Sequence, residues 1–158
     1  GEMKDVLHAC QHIDKDGEFG ALEKDELDLS YRHSAYTDNG YTILSALLKM
    51  KKGDKAEIKE AMDLNLRKRK EKQPLEFGSA GSTFKRPEGY FAGALIEQSG
   101  LKGYTVGGAQ VSEKHAGFVI NKNGATATDV ITLIRDVQKK VYEKFGVKLE
   151  TEVKIIGE

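Results

Sequence analysis

Short apolar stretches separated by turn signals open the chain, and longer runs with helical spacing follow, so the pattern predicts strands and helices in succession. VLHACQHI, the turn signal DKDG and EFGALE read as two strands joined at Asp16-Gly17, a dipeptide that tolerates the positive φ of tight hairpins. YTILSALLKM is a third strand. Asp54 and Glu57 then have capping-box spacing, and Ile58, Ala61, Met62 and Leu66 recur on one face, predicting a helix from about Lys55 into the basic run at 67–72. Pro74 ends that pattern and opens a loop. Pro87 suits the first position of a short helix that carries Phe91, Leu95 and Ile96 inward, with Gly100 as its stop and Leu101 as the accompanying apolar contact. GFVIN reads as a buried strand. The strongest helix starts at a Thr126/Asp129 cap, lines one side with Val130, Leu133, Ile134, Val137, Val141 and Phe145, and stops at Gly146. A last strand is expected to place Val147, Leu149, Thr151, Val153 and Ile155 on one face and Lys148, Glu150, Glu152 and Lys154 on the other. The fold class is α+β, with a domain boundary near 70–78 that divides residues 1–72 from residues 73–158.

Composition narrows the function. At 158 residues and 39% hydrophobic content the chain can bury a real core. Its 25 basic and 25 acidic residues balance, so no global field favours nucleic acid or an anionic membrane, and any anion site must be local. Cys10 is the only cysteine, which excludes an internal disulfide framework and fits a reducing cytoplasm. No apolar run is long enough to span a bilayer. His8 and His12 share a strand face but lack a carboxylate or cysteine partner nearby, so no metal site is expected.

The segment most suggestive of chemistry is SAGSTFKRP, residues 79–87. Small residues admit a ligand close to the backbone, Gly81 permits positive φ, and Lys85 and Arg86 supply positive charge, so the run reads either as an anion cradle or as a polar loop capping a helix. Ser82 is the hydroxyl between that backbone and the two cations. RKRKEK at 67–72 reads as cations complementing a helix C-terminus, with a nucleic-acid patch as the alternative. The glycines of GLKGYTVGGAQ lack the GxGxxG spacing of a dinucleotide fold and suit tight turns.

SAGSTFKRP, with SYRHSAY at 30–36, LKGYTVGGAQVSEKHAGFVIN at 101–121 and FGVKLETEVKIIGE at 145–158, resembles the UDP-N-acetylenolpyruvoylglucosamine reductase family in order and spacing. Members of that family are about twice as long and begin with a flavin-binding region, and GEMKDVL resembles a point inside it. The resemblance therefore implies a fragment: residues 1–72 as the C-terminal portion of an FAD-binding domain, and residues 73–158 as a small α+β substrate-binding domain, inactive alone. It implies a cytoplasmic peptidoglycan-precursor enzyme in which NADPH reduces FAD, and the flavin reduces the enolpyruvyl ether of a UDP-sugar. Carried over by position, Arg32 and Glu152 would bracket the substrate carboxyl and Ser82 would deliver the proton. Lys72, Lys85, Arg86 and His115 would contact the nucleotide-sugar, although a structural role suits His115 equally. Gly78 stands where the family usually has proline, Ala94 where a basic residue is common, and Arg86 where asparagine is frequent. The competing reading is a non-catalytic module that binds a nucleotide-sugar or another phosphorylated ligand.

Overall fold

The computed structural model describes residues 1–157, which form two compact units that divide between Ile58 and Lys59. Both are α+β. The last residue of the motif at 145–158 lies outside the described residues.

In the first unit, β1 (Leu7–Ile13) pairs antiparallel with β2 (Phe19–Glu23) on one side and with β3 (Thr42–Leu48) on the other. The β1–β2 hairpin turns where Asp16-Gly17 predicts it, with Gly17 at φ 87. A one-turn helix, α1 (Tyr36–Asn39), precedes β3. The small core holds Leu7, Cys10 and Leu27, with Leu22, Leu29 and Tyr36 packed against it. His12 is buried; its Nδ1 bonds the Tyr36 hydroxyl at 2.9 Å and its ring stacks on Tyr41. Every residue of β3 is exposed, and Ile43, Leu44, Leu47 and Leu48 stand bare.

α2 (Lys55–Lys72) forms over the expected range, and the Asp54 carboxylate accepts the backbone N–H groups of Ala56 and Glu57. Its expected core face does not bury. No residue of α2 is buried, and Ile58, Met62, Leu64 and Leu66 are all exposed. Periodicity and a cap suffice to make a helix, but they do not supply a partner for its apolar face.

The second unit packs α3 (Ala92–Gln98) and α4 (Ala127–Phe145) with an antiparallel sheet in the order β4 (Gly78–Ser82), β7 (Phe118–Asn121), β6 (Ala109–Val111), β5 (Thr105–Val106). Its core joins Leu95, Ile96, Val111, Val119, Leu133, Ile134, Val137 and Val141. Each fully buried aliphatic side chain contributes about 1.5–3 kcal/mol relative to exposure. α4 matches its sequence signals at both ends. Thr126 and Asp129 complete a reciprocal capping box, and Gly146 closes the helix in the left-handed conformation at φ 68.

Three expectations are corrected. The loop from Pro74 through SAGS is partly the strand β4, because β7 offers it a ladder. The helix after Pro87 starts only at Ala92: Tyr90 N–H donates to the Pro87 carbonyl in a turn with Gly89 at φ 73, and Phe91 is left 62% exposed. The expected last strand is reduced to an isolated bridge between Phe84 and Thr151. Its partner segment is only a few residues long, so Leu149 buries while Ile155 remains exposed.

Candidate functional site

Ser82 is the last residue of β4, and the way that strand meets β7 decides where it stands. Ser79 pairs with Ile120 and Ser82 with Phe118, so three steps on β4 face two on β7. The extra residue is a bulge, and Gly81 occupies it at φ 84, a conformation that side chains resist. Bulges re-aim side chains, and here Ser82 emerges exposed.

Directly after the bulge, Thr83 and Phe84 are buried and the chain runs alongside the segment 150–152. Glu152 N–H donates to the Thr83 carbonyl at 2.9 Å, and Lys85 N–H donates to the Glu150 carbonyl at 2.8 Å. Two stretches far apart in sequence are thereby brought together, with Ser82 and Lys85 on one and Glu152 on the other. The Lys85 ammonium also meets the Glu150 carboxylate at 3.1 Å in an exposed pair.

Arg86 lies 3.9 Å over the Phe91 ring, and its Nε–H donates to the Tyr90 carbonyl. Phe91, expected in the core, instead carries this guanidinium. His115 is tied locally: its Nδ1 accepts the Gly117 N–H at 3.1 Å and its ring meets Phe118 edge-on. This favours the structural role for His115, although the Gly117 carbonyl in turn accepts the Thr83 N–H, so the ring belongs to the same end of the β4–β7 pair. Lys72 closes α2 as an exposed cation.

Arg32 belongs to the first unit. It sits in the tight turn Ser30–His33, closed by reciprocal backbone hydrogen bonds, and has φ 56. A non-glycine residue in that region costs about 1–3 kcal/mol, and such strain gathers at ligand sites. Beside the turn is a hollow of about 570 Å³ whose lining includes Lys4, Ser30, Arg32, His33, Ser34 and Thr37. The His33 imidazole bonds Asp28, itself at φ 45, at 3.1 Å.

Among the described residues no group of histidine, cysteine and carboxylate side chains could hold a metal ion, and no helix is long and apolar enough to cross a membrane. Sequence reasoning missed Thr83. Its hydroxyl accepts the buried Val119 N–H at 3.0 Å, a contact that only the bulge explains.

Residues 73–156 match the family model described as UDP-N-acetylenolpyruvoylglucosamine reductase, C-terminal domain. Across all 158 residues the chain is 60% identical to the UDP-N-acetylenolpyruvoylglucosamine reductase of Agathobacter rectalis, and it covers 50% of that protein. It is 57% identical to the protein of that name from Clostridium novyi, covering 52%. The chain thus spans about half the length of the curated relatives it matches. Among solved structures, UDP-N-acetylenolpyruvylglucosamine reductase from Thermus caldophilus superposes with a TM-score of 0.82 at 39% identity, over 98% of this chain and 54% of that one.

Proposed function

The chain belongs to the UDP-N-acetylenolpyruvoylglucosamine reductase family, and on that footing we propose that its parent protein reduces the enolpyruvyl ether of UDP-N-acetylglucosamine to UDP-N-acetylmuramate for peptidoglycan synthesis in the cytoplasm. Residues 1–72 would complete a flavin-binding domain and residues 73–158 form the substrate-binding domain. The bare apolar surfaces of β3 and α2 support a further partner, the rest of the parent protein, because contiguous exposed apolar surface marks an interaction site.

When bound, FAD reduced by NADPH supplies hydride to the ether's carbon–carbon double bond. With hydride from that source, one proton would add to the other carbon of the bond, and negative charge would build beside the substrate carboxylate before protonation. This chain's residues answer that charge. Arg32 offers a planar, permanently charged fork for the carboxylate. Glu152 hydrogen-bonds the same carboxyl when one of the two is protonated, and the Ser82 hydroxyl delivers the proton to carbon, with Lys85 favouring the momentary alkoxide. Lys72, Lys85 and Arg86 neutralise the diphosphate, with His115 beside them. The glycines Gly100, Gly103 and Gly107 each adopt positive φ, as tight turns require. The flavin is assigned to the parent's other half together with the first unit.

What carries the reading is the pairing of 83–85 with 150–152, which sets a hydroxyl, a cation and a carboxyl on adjoining backbone in a chain of this family. In the full-length protein carrying FAD, Ser82→Ala should leave flavin reduction by NADPH intact and make reoxidation by the enolpyruvyl substrate very slow. A wild-type reoxidation rate would remove Ser82 from the reaction. A parent protein that neither purifies with flavin nor accepts it would leave a ligand-binding module.

A further inference from the structure

We infer that Thr83 is a positioning residue that sets the Ser82 hydroxyl against the Glu152 segment, an inference that rests on the reaction proposed above. Thr83 is 3% exposed and makes three hydrogen bonds to three different places. Its N–H donates to the Gly117 carbonyl, its Oγ1 accepts the Val119 N–H, and its carbonyl accepts the Glu152 N–H, all within 2.9–3.0 Å. One residue therefore ties together the end of β4, the middle of β7 and the segment that carries Glu152.

The hydroxyl is the decisive contact. Because the bulge sets Ser79 opposite Ile120 and Ser82 opposite Phe118, Ala80 and Gly81 together face Val119 and the ladder is irregular there. The buried Val119 N–H must be satisfied, and at this irregular point of the ladder the Thr83 hydroxyl accepts it. The same contact holds the bulge open. Without it, the Val119 N–H gains most if the ladder closes up, and closing a bulge shifts the strand by one residue. A one-residue shift turns each side chain to the opposite face, so Ser82 would leave the side on which it now emerges. The apolar core rests mainly on α3, α4, β6 and β7, with Phe84 its member nearest the bulge, so the unit still folds. The prediction is a protein that folds but protonates badly.

The test uses the full-length protein carrying FAD, with Thr83→Val, Thr83→Ala, Thr83→Ser and Ser82→Ala measured side by side well below their melting temperatures. Thr83→Val and Thr83→Ala should leave flavin reduction by NADPH unchanged. They should slow reoxidation by the enolpyruvyl ether by at least about 10²-fold, since a misplacement of only about 1 Å already costs that much, in kcat more than in KM. Thr83→Ser keeps the hydroxyl and should restore the rate, together with slow hydrogen exchange at the Val119 amide. A general loss of stability would impair both half-reactions and would not be selective. Wild-type reoxidation in Thr83→Ala while Ser82→Ala is slow would overturn the inference alone, as would a Thr83→Ser protein as slow as Thr83→Ala. Wild-type reoxidation in Ser82→Ala would instead overturn the underlying reading, and this inference with it.

Discussion

Replacing Gly108 with alanine should destabilise the second unit more than any single surface change, and for a purely steric reason. Gly108 has an ordinary backbone conformation, so alanine meets no φ penalty there. An added Cβ, however, would lie 2.5 Å from both the Ala125 nitrogen and the Asn123 carbonyl oxygen. These are backbone atoms and cannot rotate away. The loop is also held in place, because Lys122 N–H and Asn123 N–H both donate to the Gly108 carbonyl and Ala125 N–H donates to the Asn121 side chain. Relief requires moving the loop by most of an ångström. Overpacking of this kind costs about 1–3 kcal/mol, and each hydrogen bond given up adds roughly 1 kcal/mol, for a total near 3 kcal/mol. At about 4–8 °C per kcal/mol for a domain of some 100 residues, the melting temperature should fall by roughly 12–24 °C. Urea unfolding followed by circular dichroism, with heat melts alongside, measures both quantities. A loss under about 0.5 kcal/mol would show that the loop yields freely and that the close approach constrains nothing.

Two further outcomes are expected. Asp129 has its carboxyl held below its ordinary value of 3.8 by the Thr126 backbone N–H, then by the Thr126 side chain and the Gly108 N–H, all favouring the charged form. Unfolded, it titrates near the ordinary value, so its stabilisation is complete above that pH and fades as pH falls through the depressed folded value. Unfolding free energy measured from pH 5 downward should show an acid slope that Asp129→Ala lacks, and parallel curves would dismiss the cap as its source. Lys85→Met removes an exposed pair whose side chains are 47% and 74% accessible, so stability should change by less than about 1 kcal/mol. Calorimetric titration of the full-length protein with UDP should nevertheless show weaker binding, and equal affinity would separate Lys85 from the diphosphate.

How much of this was legible before the structure depended on where the cause of each feature lay. α4 and the β1–β2 hairpin are specified locally, by a cap, a left-handed glycine and a turn dipeptide, and each stands where the sequence predicts it. α2 shows the limit of periodicity, because its spacing foretells a helix but not whether anything covers it. The SAGS stretch looked like a loop since small residues have little strand preference; its ladder comes from β7, forty residues later. The final segment alternates like a strand, yet a strand needs a neighbour of equal length, and 83–85 is too short. The candidate site divides in the same way. Ser82, Lys85 and Glu152 could be selected by residue type and family pattern, whereas their backbone pairing could not. Thr83 carried no sequence signal at all, since a buried threonine becomes informative only once a bulge leaves an amide for it to satisfy.

The zipper between 83–85 and 150–152 also orders events in time. Lys85 and Glu150 are 65 residues apart, so on a ribosome the strand carrying Ser82 emerges several seconds before the stretch that will flank it, at ordinary rates of about 5–20 residues per second. Until then Phe84 lacks its bridge to Thr151. A nick just beyond Lys148 would return the unit to that unfinished condition and strip away the Glu152 side while sparing the sheet and α4. Nascent and clipped molecules should therefore share one signature, a folded scaffold in which the serine has lost its neighbour.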